Sequence, residues 1–332
     1  MKRILTFLSA VIALSCILSS CDDARKSLLP QVSGKEGEVL VVTNRGDWNG
    51  TLGSIIRDSL SQPYPYLLNT EPTFDVSFVP NSSFTDIFRT HRNIFIVNVD
   101  PKVTEPGVIY KHDQWAAPQC VIKLNAASSE EAADLFKEKC STIMTFIEQS
   151  ARDCAIINNR KYEERSFVAQ VKKMAGGAPN FPFGYSLKKG TDDFIWISQE
   201  SQYVIQDVLI FKYPIVEGVD MMDPQNLTND INEMLMKNVP GPIENSYMMI
   251  TPGFEPYIGY KKYKDNHFAE IKGLWETYNE FMGGTFTAHA YYSPNGTEMV
   301  VIFGFVYTPK YDKRTYMRQL EAILYSFTWN KE

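Results

Sequence analysis

From residue 38 onward, short apolar runs alternate with segments whose apolar residues recur at helical spacing. Val39-Leu40-Val41-Val42-Thr43 suits a buried strand, and after the turn and cap residues Asp47-Trp48-Asn49-Gly50, Leu52, Ile55, Ile56 and Leu60 share one helical face. Phe74 to Val79 predicts the next strand, with Ser82-Ser83 capping a short helix through Phe84, Ile87 and Phe88. Asn93 to Val99 and Gln119 to Leu124 predict a third and a fourth strand. Ser128-Ser129-Glu130-Glu131 opens a long helix with acids at its positive end, and a second helix is expected from about Asn159 to Met174. This alternation predicts an α/β layer with an at least partly parallel sheet.

Gly176-Gly177-Ala178-Pro179 breaks the chain, and the pattern changes. Phe194 to Ile197 and Tyr203 to Tyr213 read as strands, and Asp223-Pro224 is an N-cap followed by proline at the first helical position, leading into Leu227, Ile231, Met234 and Leu235. Thr285 to Tyr292 alternates, Ser293-Pro294-Asn295-Gly296 turns the chain, and Met299 to Tyr307 is apolar on both faces, as a central strand requires. Asp312 to Leu324 predicts a closing helix that buries Tyr316, Met317, Leu320 and Ile323. The second half is therefore expected to be α+β, an antiparallel sheet covered by helices. The whole chain divides into 1–20, 21–37, 38–176 and 177–332.

The first of these segments is a leader. Met1-Lys2-Arg3 is basic, Ile4 to Leu18 is almost wholly apolar, and small residues follow, as in a secretory signal peptide. Leu18-Ser19-Ser20-Cys21 resembles the lipobox of bacterial lipoproteins, which implies acylation of Cys21. A single acyl chain holds a protein only marginally, whereas two or three give stable attachment. Asp22-Asp23 resembles the acidic export signal that sends lipoproteins of Bacteroidales-type organisms to the cell surface, or else solvates a tether. Residues 21–37 read as a flexible, lipidated tether that lets the body stand about 20 Å off the membrane. The expected location is the outer membrane, by lipid anchor, facing the periplasm or the surface.

Composition narrows the function only by exclusion. With 33 Lys+Arg against 39 Asp+Glu and a net charge of −6, no cationic surplus exists to displace phosphate counterions, so nucleic acid is not an expected partner. After residue 20 no uncharged apolar run approaches the roughly 18 residues of a spanning helix. Cys120, Cys140 and Cys154 remain once Cys16 is cleaved off and Cys21 acylated, allowing at most one disulfide. Cys140 falls on an apolar helical stripe with Leu135, Phe136, Ile143, Phe146 and Ile147, where a buried, inert thiol is expected.

The strong catalytic and nucleotide motifs are missing: no GxGxxG, P-loop, HExxH, GxSxG or CxxC. His91, His112, His267 and His289 show no metal-ligand spacing, so neither a metal nor a cofactor is expected. The acid pairs Asp192-Asp193, Glu130-Glu131 and Glu163-Glu164 could each supply a carboxylate for glycoside hydrolysis, or stand solvated. Two segments are candidates for binding. If the first three strands are parallel, their carboxyl ends bring Arg45, Asp47, Trp48, Asn81, Ser82 and Asp100 to one rim, suited to an anionic or polyhydroxylated ligand. The same residues also serve as caps and turns. The second is Trp275-Glu276 with Gly283-Gly284 and the nearby Tyr257, Tyr260 and Tyr263, an aromatic surface for sugar or peptide, or a loop anchored by Trp275. Asp58-Ser59-Leu60 matches a permissive O-glycosylation pattern.

Arg92-Asn93-Ile94, Gly273-Leu274-Trp275-Glu276, Phe281-Met282-Gly283-Gly284, Gly304-Phe305-Val306-Tyr307 and Arg318 to Leu324 together resemble a Bacteroidales-type lipoprotein family known only as a domain of unknown function. That resemblance implies an envelope location and supplies no catalytic residue. In element order alone, the second half resembles the PsbP-like sandwich. The expected function is a non-enzymatic envelope lipoprotein that binds a ligand or a partner: a glycan, a peptide or another envelope protein. The alternative is a lipid-anchored hydrolase acting on glycan or peptide through carboxylates.

Overall fold

The structure, a computed structural model, describes residues 28–330. The expected signal peptide, the expected lipidation site Cys21 and Asp22-Asp23 lie outside the described residues. The chain forms two compact units, one built from residues up to 62 and 72–151, the other from 63–71 and 152 onward.

In the first unit, strands β1 (Glu38–Thr43), β2 (Asp75–Pro80), β3 (Asn93–Val99), β4 (Gly107–His112) and β5 (Cys120–Ala126) form a sheet in the order β2-β1-β3-β5-β4. All neighbours are parallel except β4, which runs antiparallel on the edge beside β5. The continuous run Val39 to Val42 follows from this position, since both faces of β1 are covered. Val39 and Val41 pack with Leu52, Ile56 and Phe136 on one face, whereas Leu40 and Val42 pack with Val79, Ile94 and Val121 on the other. Three helices sit in this part of the chain: the short α1 (Arg45–Asn49), α2 (Thr51–Leu60) and the four-residue α3 (Asp86–Arg89). Ser82 and Ser83 lie in a 3-10 turn, and neither caps α3, whose N-cap is Thr85. The edge strand β4 escaped the sequence pattern because it is half exposed and lacks an apolar run.

Helix α4 (Ser129–Lys161) begins as its sequence demands. Ser128 Oγ accepts from Glu131 N (3.2 Å), and the Glu131 carboxylate accepts from Ala127 N (2.7 Å), a reciprocal cap. Phe136, Ile143 and Ile147 are buried on its apolar stripe. Cys140 is only half-buried there, and burial still raises its thiol pKa. No disulfide links Cys120, Cys140 and Cys154.

Two expectations about organisation give way here. The helix expected over Asn159 to Met174 is broken, because Tyr162 to Glu164 pair their backbone with Phe181 to Phe183. Helix α5 (Val168–Ala175) then ends at Gly176, which adopts the left-handed conformation (φ +69°) of a helix C-terminus. Val171, Met174 and Ala175 join the core of the second unit, so the units part at 151/152 rather than at 176. Residues 30–33, read as tether, are instead tied to the first unit: Gln31 bridges Ala117, Ser33 bridges His91, and Ala117 N donates to Pro30 O.

The second unit holds β6 (Gly177–Ala178), β7 (Ser186–Gly190), β8 (Phe194–Ser201), β9 (Val204–Pro214), α6 (Pro224–Asn238), β10 (Tyr247–Ile250), β11 (Tyr257–Tyr263), β12 (Asn266–Tyr278), β13 (Gly283–Tyr292), β14 (Glu298–Tyr307), α7 (Arg314–Tyr325) and β15 (Thr328–Trp329). Its main sheet is antiparallel, in the order β10-β12-β13-β14-β9-β8-β7, with β11 also on the edge of β12. One face packs against α5 and α7, through Val171, Leu320 and Ile323; the other packs against α6, through Leu227, Ile231 and Leu235. β14 is central, and Met299 to Val306 bury both of their faces. Asp223 caps α6 by accepting from Gln225 N (3.0 Å) and Asn226 N (3.2 Å). Among the described residues no helix is long and apolar enough to cross a membrane.

Candidate functional site

The first candidate rim exists as a geometry. β1, β2 and β3 are parallel, and their carboxyl ends carry the expected residues. Most of those residues are occupied with local structure. The Asp47 carboxylate accepts from Asn44 Nδ2 (2.7 Å) and from the Ser129 hydroxyl. Asp100 accepts from Lys102 N in a turn (2.9 Å). Trp48 stacks on Phe78 (4.7 Å) beneath the Arg57 guanidinium, and Asn81 and Ser82 are exposed. A hollow of about 430 Å³ beside Asp47 is also lined by Glu130, Asp134 and Lys137, with Lys137 bound to Asp134 (3.1 Å). Its carboxylates outnumber its one ammonium, and Arg45 does not line it. That hollow therefore offers an anion no matching charge.

The second candidate is rebuilt rather than simply located. Trp275 lies on β12 and is 3% exposed, so it is neither a surface aromatic nor a loop anchor. A side chain on Gly284 would stand 2.8 Å from Trp275 Nε1 and 2.4 Å from Val306 O. The glycine thus lets the indole lie against the β13 backbone. A side chain on Gly283 would likewise meet Trp275 O at 2.8 Å. Glu276, next along the strand, is half exposed on the other face, as strand alternation requires. Tyr260 is spent on a bond to Met222 O (2.7 Å), and Tyr263 on one to Asp153.

What Trp275 lines is a cavity of about 270 Å³, with Trp196, Phe305, Tyr307, Met248 and Met282 as apolar walls and Thr277 and Asp207 as polar groups. Lys188 and the loop Val239 to Pro242 also border it. Asp207 is 1% exposed on β9. Trp196 Nε1–H donates to its Oδ2 at 2.9 Å. Among the described residues neither Asp207 Oδ1 nor Trp275 Nε1 has a hydrogen-bond partner. Burial pushes the Asp207 carboxyl up to about 6; Ser198, Trp196 and Lys188 pull the other way, and Glu200 adds to the rise. Sequence reasoning missed Asp207, whose place inside an apolar strand was its only signal.

A carboxyl pKa raised on folding stabilises the acid form of the fold. This contribution is complete below about pH 4, where the unfolded group is also protonated, and is lost as pH rises through about 6. The full difference amounts to about 2–3 kcal/mol. Asp207→Asn should therefore gain on wild type as pH rises from 4 to 7, read as urea midpoints. A gap independent of pH would show that the carboxyl is not desolvated.

The remaining titratable candidates serve the fold. Glu130-Glu131 belongs to the start of α4, Glu163 accepts from Asn180 (2.8 Å), and Asp193 pairs with Lys237 (2.6 Å). His289 is fully buried, stacked on Phe268 at 4.1 Å; burial, then the charges of Arg152 and Lys272, hold its pKa well below the usual value. It is a neutral core residue. Ser59 of the glycosylation pattern sits within α2.

These features define a protein of two units, a mostly parallel α/β sheet followed by an antiparallel sheet between helices, with an aromatic cavity in the second. Residues 32–160 match the family described as Domain of unknown function (DUF8532), and residues 164–326 match Domain of unknown function (DUF4837). Both families are described only as domains of unknown function. No curated protein matches it. Among solved structures it is similar to LpqN, involved in cell envelope biogenesis of Mycobacterium tuberculosis, at 13% identity over 44% of this chain and 79% of that one, with a TM-score of 0.29. A likeness that distant supports no statement about fold or function.

Proposed function

We propose that this chain is a lipid-anchored envelope protein that binds a small ligand, or the side chain of a partner, in the cavity between Trp196 and Trp275, without transforming it. The cavity carries the binding half of this reading: it joins apolar aromatic walls to buried polar atoms left without partners, the composition of a ligand site. A hydrolase using two carboxylates would need a second acid facing Asp207, and among the described residues Asp207 is the only carboxylate in the lining. The leader and the Leu18-Ser19-Ser20-Cys21 motif support the anchor.

The anchor is tested by fractionation and intact-mass analysis in the native host. Wild type should pellet with outer membranes, with the mass of a chain beginning at an acylated Cys21. Cys21→Ala should remain an unacylated precursor. A wild-type protein found soluble and without lipid would refute the anchor, and surface proteolysis of intact cells reports which side it faces. Binding is read from the fluorescence of Trp196 and Trp275.

A further inference from the structure

The cavity of the second unit has an unusual pairing of walls and floor. Trp275 meets Phe305 edge-on at 5.0 Å and lies 6.4 Å from Tyr307, while Trp196 holds one oxygen of Asp207. Among the described residues the other carboxylate oxygen is buried and makes no hydrogen bond of good geometry, although the Ser198 hydroxyl acts on the carboxyl and lowers its pKa. Its charged neighbours do not supply one. Lys188 borders the cavity, 5.2 Å over the Trp196 ring, and lowers the Asp207 pKa by its charge, but its ammonium is paired with Glu200, both of them exposed. Tyr185 is buried and contributes no positive charge. α6 and the loop Val239 to Pro242 bring no charged residue into the lining.

We propose that the site binds a small organic ammonium ion, its positive charge on Asp207 and its carbon groups against Trp196, Trp275, Phe305 and Tyr307. Aromatic faces attract cations through their quadrupoles, and the attraction grows when both are withdrawn from water. An unpaired buried carboxylate costs stability that a ligand cation restores. An anion would be repelled by the same group, and a neutral apolar ligand would leave Asp207 unsatisfied. A volume of about 270 Å³ is ample for a group the size of choline or butylammonium.

This inference rests on the cavity being a ligand site, and the test separates the two. Tryptophan fluorescence of the full mature protein is titrated with choline, with butylammonium and with 3,3-dimethylbutanol, the uncharged isostere of choline. Choline or butylammonium should saturate the signal at least about tenfold more tightly than the alcohol. Asp207→Asn should abolish that preference by weakening the cations, while the alcohol binds at least as tightly as it does to wild type, with a thermal melt verifying the fold. Tyr307→Leu, at the cavity edge, should weaken the cation more than the alcohol. Lowering the pH from 7.5 to 5 should weaken choline binding as Asp207 takes up its proton, and alcohol binding should not follow. If the alcohol binds as well as the cations, or Asp207→Asn keeps the preference, the ammonium assignment fails while the ligand site stands. If none of the three binds, both fail.

Discussion

Lys272→Met should destabilise the second unit by about 3–5 kcal/mol, the cost of leaving a buried acid without its cation. Lys272 Nζ lies 2.7 Å from Glu321 on α7 and 3.7 Å from Glu270 on its own strand. Glu321 is 7% exposed and Glu270 5%. Tyr64 donates to Glu321 (3.1 Å) and Tyr325 to Glu270 (2.7 Å), while Arg152 reaches Glu321 at 3.9 Å and covers the Tyr325 ring at 3.8 Å. The two cations and two acids balance. Burial works to raise the Glu321 carboxyl, but the charges of Lys272 and Arg152 and the hydrogen bonds from Lys272 and Tyr64 outweigh it and hold the pKa at about 2. Stability from this carboxylate is present above pH 4.5 and lost as pH falls through about 2.

Replacing both partners should cost far less than replacing one. Lys272→Met combined with Glu321→Leu removes the orphaned charge together with its cause and should recover most of the loss in a double-mutant cycle of chemical denaturation. A single Lys272→Met variant as stable as wild type would show that the pair is solvated rather than buried. The network sits on the face of the sheet opposite Asp207, so the loss of stability should leave choline affinity unchanged below the melting range.

Trp275→Ala should be comparably damaging and should also abolish binding in the cavity. The side chain packs on Phe305 and Tyr307 within the core under α6, and its removal leaves a void that the flanking strands cannot close. The expected cost is about 3–5 kcal/mol. For a unit of this size that lowers the melting temperature by about 10 °C. Trp275→Phe should recover most of the stability and only part of the fluorescence response. A melting temperature within a degree of wild type would place the indole in solvent and remove the cavity wall.

Local pattern reports how much of a segment is buried. The run Val39 to Val42 and the doubly apolar Met299 to Val306 were legible as strands covered on both faces for that reason. Capping was equally legible where donor and acceptor lie within a turn of one another, as at Asp223 and at Ser128 with Glu131. At the start of α7 it was not. There the Glu71 carboxylate accepts from Lys313 N (2.7 Å) and Arg314 N (3.0 Å), a cap supplied from the far end of the sequence. The β11–β12 hairpin was also hidden. β11 is mostly exposed, and its tyrosines read as a surface cluster rather than as one edge of a strand pair.

The candidate site shows the same division. The sequence marked Trp275 and the glycines at 283 and 284 as unusual, and they do meet, because their strands are adjacent in register. It carried no sign that Asp207 is their neighbour. Strand order places β9 beside β14, and Phe305 and Tyr307 on β14 bring the two edges of the cavity together.

By itself, then, the chain determined the kinds of its elements, its main turns and the apolar faces of its helices, because each depends on residues a few positions apart. The tertiary structure alone decided where the units part, that residues 30–33 are docked rather than free, and which charges are buried. Lys272 meets Glu321, and Asp207 meets Trp196, only through strand order, register and the helix laid across the sheet. Periodicity along one segment measures burial and holds no information about which distant segment provides it.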